Sequence, residues 1–272
     1  MSLQPRETAN ERLLVALDSS AGSFETLEIA SALAARLDAE LLGLFVEDTR
    51  LMQLAAIPCA REVRFASARA KPMRATTIDR HLKAQETTAR RALTQAASSH
   101  RVTWSFRVTQ GPVSSALVEE AREVDLLFVA GTAVQRQRYL YQSSRAAERA
   151  EPHQPAPVDE RAVVTAYDGS PLAARALDVA GRIARGGPLT VLVPAEAAGA
   201  AETTSRRLGA RPAKDRYLPL ADGDFQAIAS ALGNPRSSLL VLPCDSTLLG
   251  TRSVDDLVDQ LGAPIVLVRH LA

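Results

Sequence analysis

Short apolar runs alternate along the chain with segments whose apolar positions recur every three or four residues. Residues 12–17 (RLLVAL) form a strand-like run that ends at Asp18. Phe24, Leu27, Ala30, Ala34 and Leu37 then recur at helical spacing, and residues 40–46 (ELLGLFV) form a second buried strand. An irregular stretch with Pro58 and several arginines fills residues 57–71. From Thr76 a second helix carries Ile78, Leu82, Ala89, Leu93 and Ala96 on one face. Residues 102–108 (VTWSFRV) alternate like a strand, QGPVSSALVEEAREV opens a helix at Gly111 and Pro112, and DLLFVAG is a further apolar strand.

The second half repeats this order more tersely. RAVVTAY leads into a helix through Leu177 and Ile183, and PLTVLVP follows. After an Ala/Gly/Thr-rich connector come DRYLPL, the helix DFQAIASAL, the strand SSLLVLP, the helix SVDDLVDQLG and the strand APIVLVRHL. Continuous apolar strands alternating with helices predict parallel sheet covered on both faces. A shift of 150 positions lays LVALDSSAGSFETLEIA onto VVTAYDGSPLAARALDVA without a gap: Asp18 meets Asp168, Ser20 meets Ser170, Leu27 meets Leu177 and Ala30 meets Ala180. Pro152, Pro155 and Pro157 mark a boundary between the copies. The expected architecture is α/β: two tandem doubly wound parallel five-stranded sheets in a Rossmann-like three-layer sandwich. The expected domains are 1–158 and a shorter, more degenerate 159–272.

Length and charge narrow the function classes. A chain of 272 residues suits two units of this size, each able to bury a core. A formal net charge of +1 provides no field that would steer the protein onto nucleic acid or an acidic membrane. Apolar runs such as AELLGLFV are too short for membrane insertion. Cys59 and Cys244 make no disulfide framework, which fits a cytoplasmic location, as does the polar segment MSLQPRETANER.

The doubled pattern resembles the universal stress protein family in its tandem two-domain form. The resemblance rests on LLVALDSS and AVVTAYDGS, on AELLGLFVED, on VTQGPVSSALVEEAREVDLLFVAGT and on SVDDLVDQLGAPIVLVRH. It implies a stress-associated protein whose sheet edge holds adenine nucleotide. The aspartate after the first strand would hold adenosine, and a loop of pattern G-x-x-G-(nine residues)-G-S/T would wrap the phosphates. Glycines there let backbone N–H groups approach phosphate oxygens at a helix N-terminus.

Carried onto this chain, the resemblance places cofactor contacts at Asp18, Ser20, Val46, Gly131, Ser143 and Ser144. Val134 holds the second glycine position and Ser144 the third, so one glycine of the loop is kept in the first half. Arg136, Arg138 and Arg145 lie in the same segment and would supply cationic donors. The second half is further decayed. Pro243 stands at the first glycine position, where it removes a backbone donor, and Arg252 stands at the third. The spacing from Pro243 to Ser253 is shorter than the family loop needs. No cofactor follows from the residues alone, and the resemblance implies ATP in the first half only. The competing reading of Asp-x-Ser is structural: such a pair after a strand caps the following helix.

The remaining chemistry is sparse. No Walker A loop, G-x-S-x-G elbow, H-E-x-x-H or G-x-G-x-x-G motif is present, so no catalytic residue is assigned. His81, His100, His153 and His270 are scattered without metal-ligand spacing. Residues 61–83 carry an excess of positive charge but one aromatic residue, Phe65, which argues for a solvated run rather than a nucleic-acid platform. The expectation is a non-catalytic regulatory or interaction protein with an unidentified protein partner; an ATP-binding protein using the first-half site is the alternative. The closing strand APIVLVRHL has only the stub Ala156–Val158 as its first-half counterpart. Residues 263–269 are therefore expected to pair with the stub or, preferably, with the same strand of a second chain in a homodimer.

Overall fold

The computed structural model describes residues 11–17, 21–47, 53, 57, 61–63, 70–72, 75–111, 119–130, 157–185, 187–194, 198–207, 216–220, 225–246, 257 and 260–269. The first half runs β1 (Arg12–Leu17), α1 (Ala21–Leu37), β2 (Glu40–Glu47), the short pair β3 (Arg61–Val63) and β4 (Ala70–Pro72), α2 (Ala75–His100), β5 (Trp104–Gln110) and β6 (Leu126–Val129). The second runs β7 (Ala162–Ala166), α3 (Pro171–Ala184), β8 (Leu189–Val193), α4 (Ala198–Arg207), β9 (Arg216–Pro219), α5 (Phe225–Leu232), β10 (Ser238–Pro243) and β11 (Ile265–Val268).

Nine of these strands form one sheet in the order β5-β2-β1-β6-β11-β10-β7-β8-β9. All neighbours in it are parallel except β6 and β11, which run antiparallel. Alternation of side chains sorts the apolar residues into layers. Leu13, Val15 and Leu17 of β1, with Val163 of β7, join the large core under α1, α2 and α3. Val164 and Ala166 turn to the opposite face, with Ile228, Leu232, Leu257 and Leu261. Leu14, Leu42 and Leu44 line that face in the first half, under Ala121 and Val124. A mixed α/β sandwich with a largely parallel sheet is thus what the apolar pattern predicts.

Gly43 explains how α2 reaches the sheet. A Cβ at this position would lie 2.6 Å from Leu93 Cδ2 and 2.9 Å from Leu17 Cδ1, so the bare backbone is what lets the long helix settle on β2. Helices α1, α2 and α3 each end on a residue with positive φ: Asp38, Arg101 and Arg185. The turns at Asp38 and Arg101 return an N–H to the last helical turn, from Ala39 to the Ala34 carbonyl and from Val102 to the Ala97 carbonyl.

Several expectations change. The two expected five-stranded sheets are one nine-stranded sheet, to which the described residues of the first half give four strands and those of the second half five. Of the stub Ala156–Val158, Val158 lies in a 3-10 turn, Val158–Glu160. The open edge of β6 is taken instead by β11, in the register Ile265↔Val129 to Val268↔Leu126. Both edges of β11 are therefore filled within one chain, and the motive for pairing it with the stub or with a second copy disappears. The irregular stretch at 57–71 contains the antiparallel pair β3–β4, and the Ala/Gly/Thr-rich connector contains α4. In the helix expected over 110–124, Glu119 and Glu120 are helical and Ala121–Glu123 tighten to 3-10.

Candidate functional site

Ligands of open parallel sheets settle beyond the carboxyl ends of the strands, where strand order reverses. That point lies between β1 and β6 in the first half and between β7 and β10 in the second. Of the six residues expected to hold nucleotide in the first half, Val46 is described. It is half-buried near the end of β2, pairs in register with Thr109, and packs against the small apolar cluster of Leu14, Leu42 and Val124. Beside it, Gln110 Nε2 donates to Glu47 Oε2 at 2.9 Å, and Gly111 N donates to the Glu47 carbonyl at 3.1 Å. Asp18, Ser20, Gly131, Ser143 and Ser144 lie outside the described residues.

In the second half Asp168, Ser170 and Pro243 are described. Asp168 follows β7 on an exposed turn, and its Oδ1 accepts a bond from Ser170 N at 2.9 Å. Ser170 Oγ accepts from Ala173 N at 3.1 Å, capping α3, with Pro171 as the first helical residue. Gly169 between them has φ +92°, a conformation that favours glycine, and this shapes the tight turn. Asp-Gly-Ser in this copy is thus a turn and helix cap, as its structural reading predicts, with Ser170 as the cap. Pro243 is buried at the end of β10 opposite Val268, and its carbonyl accepts from Ser246 N at 3.1 Å. The chain turns at once where the family loop would begin. Arg252 and Ser253 lie outside the described residues.

A charged seam borders this edge. Because β6 and β11 run antiparallel, the amino end of β6 meets the carboxyl end of β11, and two first-half carboxylates reach α3. Arg175 Nη2 donates to Asp125 Oδ1 at 2.7 Å and to Glu11 Oε1 at 3.4 Å, while its Nη1 donates to the Arg269 carbonyl at 2.6 Å. Asp125 Oδ2 accepts from Arg12 N at 3.2 Å, and Arg182 Nη1 donates to Glu11 Oε2 at 2.8 Å. Burial pulls the Arg175 guanidinium down, but Asp125 and Glu11 outweigh it, and the net shift is upward. Arg36 of α1 donates to the Ile183 carbonyl at the end of α3, and Arg182 of α3 donates to the Leu37 carbonyl at the end of α1.

Asp178 sits at this seam, and burial raises its pKa above the usual carboxylate range; Arg182 pulls against that rise, Glu11 adds to it and Arg175 opposes it. A raised pKa in the fold means that the protonated form is favoured. The corresponding stability is full below the unfolded pKa and is lost as pH rises through the folded one. Asp178→Asn is therefore expected to melt no lower than the parent at neutral pH and to lose any advantage at acid pH. Thermal melts from about pH 3 to about pH 8 measure this; a variant that is less stable at neutral pH would contradict it.

Sequence reading missed Glu11, Asp125, Arg175, Arg182 and Arg36. The only local signal was a basic residue in the last turn of α1 and of α3. Cys244 is half-buried, and burial pushes its thiol up despite the opposing effect of Arg269, as suits an unreactive thiol. In the basic run, Lys83 pairs with Asp79 at 2.9 Å on the surface of α2. His100 meets Glu28 at 3.2 Å. Among the described residues no group of three His, Cys, Asp or Glu is placed to hold a metal, and no helix is long and apolar enough to cross a membrane.

No protein-family profile matches the chain, and no curated protein does. Among solved structures, it is similar to a universal stress protein from Archaeoglobus fulgidus DSM 4304, with a TM-score of 0.56 and 12% sequence identity. The match covers 95% of this chain and 98% of that one. The likeness runs through both halves, and what it establishes is the fold.

Proposed function

We propose that this chain is a non-catalytic regulatory or interaction protein of the tandem universal stress type, with its second nucleotide site lost. The observation that carries the proposal is the commitment of the second-half edge to local structure. Ser170 is spent on the helix cap, Asp168 holds the turn before it, and Pro243 presents no N–H where a phosphate cradle would begin. The structural likeness supports the family reading, and the low cysteine content supports a cytoplasmic setting. Asp18 and Gly131 favour ATP in the first half as the second reading.

Isothermal titration of ATP-Mg into the whole protein tests this. No more than one equivalent per chain is expected. Asp18→Ala should weaken any binding at least tenfold, the loss of a charge-assisted hydrogen bond worth about 1.5–3 kcal/mol, and Asp168→Ala should leave it unchanged. Two equivalents, equal losses in both variants, or release of many phosphates per chain would overturn the proposal.

A further inference from the structure

The two end strands of the sheet are built differently. At one end β9 is four residues long and finishes at the exposed Pro219. Short strands and prolines keep an edge from pairing with other chains. At the other end β5 has seven residues with no proline or lysine, and its register with β2 runs unbroken from Leu41↔Trp104 to Glu47↔Gln110. Leu41 N donates to the Thr103 carbonyl and Gly111 N to the Glu47 carbonyl, so the odd-numbered residues turn their backbone groups to β2. Trp104, Phe106, Val108 and Gln110 turn theirs outward. Among the described residues no strand lies beyond them. Val108 is 37% exposed, and Arg107 and Gln110 are exposed beside it.

We propose that this edge docks a second copy of the chain, with the two β5 strands antiparallel about a two-fold axis at Phe106. The pattern of the strand selects that occupant. On the face under α2, Trp104 and Phe106 pack half-buried against the core, and the Arg90 guanidinium lies 4.3 Å from the Phe106 ring centre. Val108 follows on the same face by alternation. Reversing one copy against the other sets Phe106 beside Phe106 and covers each exposed Val108 with Trp104 of the second copy, an aromatic–β-branched pair. On the opposite face the same register sets Arg107 against Ser105 of the second copy. Ser105 Oγ donates to Glu40 Oε1 at 2.6 Å, so a carboxylate stands beside that position. Glu40 also pairs with Arg12, and Arg107 with Glu120 and Glu123 of its own chain. Arg107 thus meets Glu40 of the second copy once on each side of the axis, and a two-fold contact requires such self-complementarity.

Sedimentation equilibrium on the full chain tests this, with two variants at Val108. Its N–H points away from β2, so Val108→Pro removes an outward donor and leaves the ladder within the chain intact. Val108→Lys places a cation where the apolar strip closes. The mass of the parent should rise from one chain toward two with concentration, and both variants should stay at one chain with unchanged circular dichroism. Hydrogen exchange in a peptide covering 104–110 should slow as parent concentration rises, a reading that stands even where a variant folds poorly. A parent that stays monomeric at about 1 mM would overturn the proposal, and so would a dimer that both folded variants retain. Protection of 104–110 in a monomer at every concentration would show that the chain covers this edge itself and would overturn it equally.

Discussion

Phe128→Ala is expected to lower stability by about 3–5 kcal/mol. Phe128 is 1% exposed, in a four-residue strand with β1 on one side and β11 on the other. It stands opposite Val266, at an antiparallel position that exchanges no backbone hydrogen bonds, where facing side chains come closest. Its ring joins the core that also holds Leu13, Val15, Val241 and Val266, so a cavity there touches both halves. Urea unfolding followed by far-ultraviolet circular dichroism and by the single tryptophan, Trp104, measures the loss. With a slope near 3 kcal/mol/M, the midpoint should fall by about 1–1.7 M with the slope unchanged. A shift worth less than about 1 kcal/mol would show that the seam relaxes around the hole.

Arg175→Met is expected to cost about 2–4 kcal/mol, chiefly through what it leaves behind. Asp125 is 8% exposed, and without the guanidinium its Oδ1 loses a partner at 2.7 Å, while the Arg269 carbonyl loses one at 2.6 Å. Removing one member of a buried pair strands the other, whereas removing both costs less. Arg175→Met with Asp125→Asn should therefore be more stable than Arg175→Met alone, although Asp125 also accepts from Arg12 N. Thermal and urea denaturation of the single and double variants provide the cycle. If the two losses simply add, Arg175 and Asp125 do not act as a pair.

Much of the fold is legible in the sequence because most of it is local. The runs at 12–17, 40–46 and 237–243 read as buried strands and are buried strands. The spacing of Leu27, Ala30, Ala34 and Leu37 gives α1 its inner face, and the echo of Asp18 in Asp168 marks the doubled unit. What escapes is what depends on distant partners. The segment APIVLVRHL announces a strand, but nothing near it says that Leu126–Val129, far earlier in the chain, will lie antiparallel beside it. Glu11 reads as one charge in a polar terminus and Arg175 as one charge on a helix; only the fold brings them within 3.4 Å. Helix α4 is hidden by composition, since Gly199, Thr203 and Thr204 are weak helix formers and the packing of Ala201 holds them. The decay of the second nucleotide loop is legible in the sequence at Pro243, and the structure places that proline at the buried end of β10, opposite Val268.

The two arginines that cross between α1 and α3 have an electrostatic meaning as well. Every helix carries a partial negative charge at its carboxyl end, about half an elementary charge. Here the ends of α1 and α3 are brought near one another, close enough for Arg36 to reach Ile183 and for Arg182 to reach Leu37. Two like poles would push the halves apart. Each helix instead lends its neighbour the cation that its own last turn carries, so the repulsion becomes a reciprocal attraction that neither half enjoys alone.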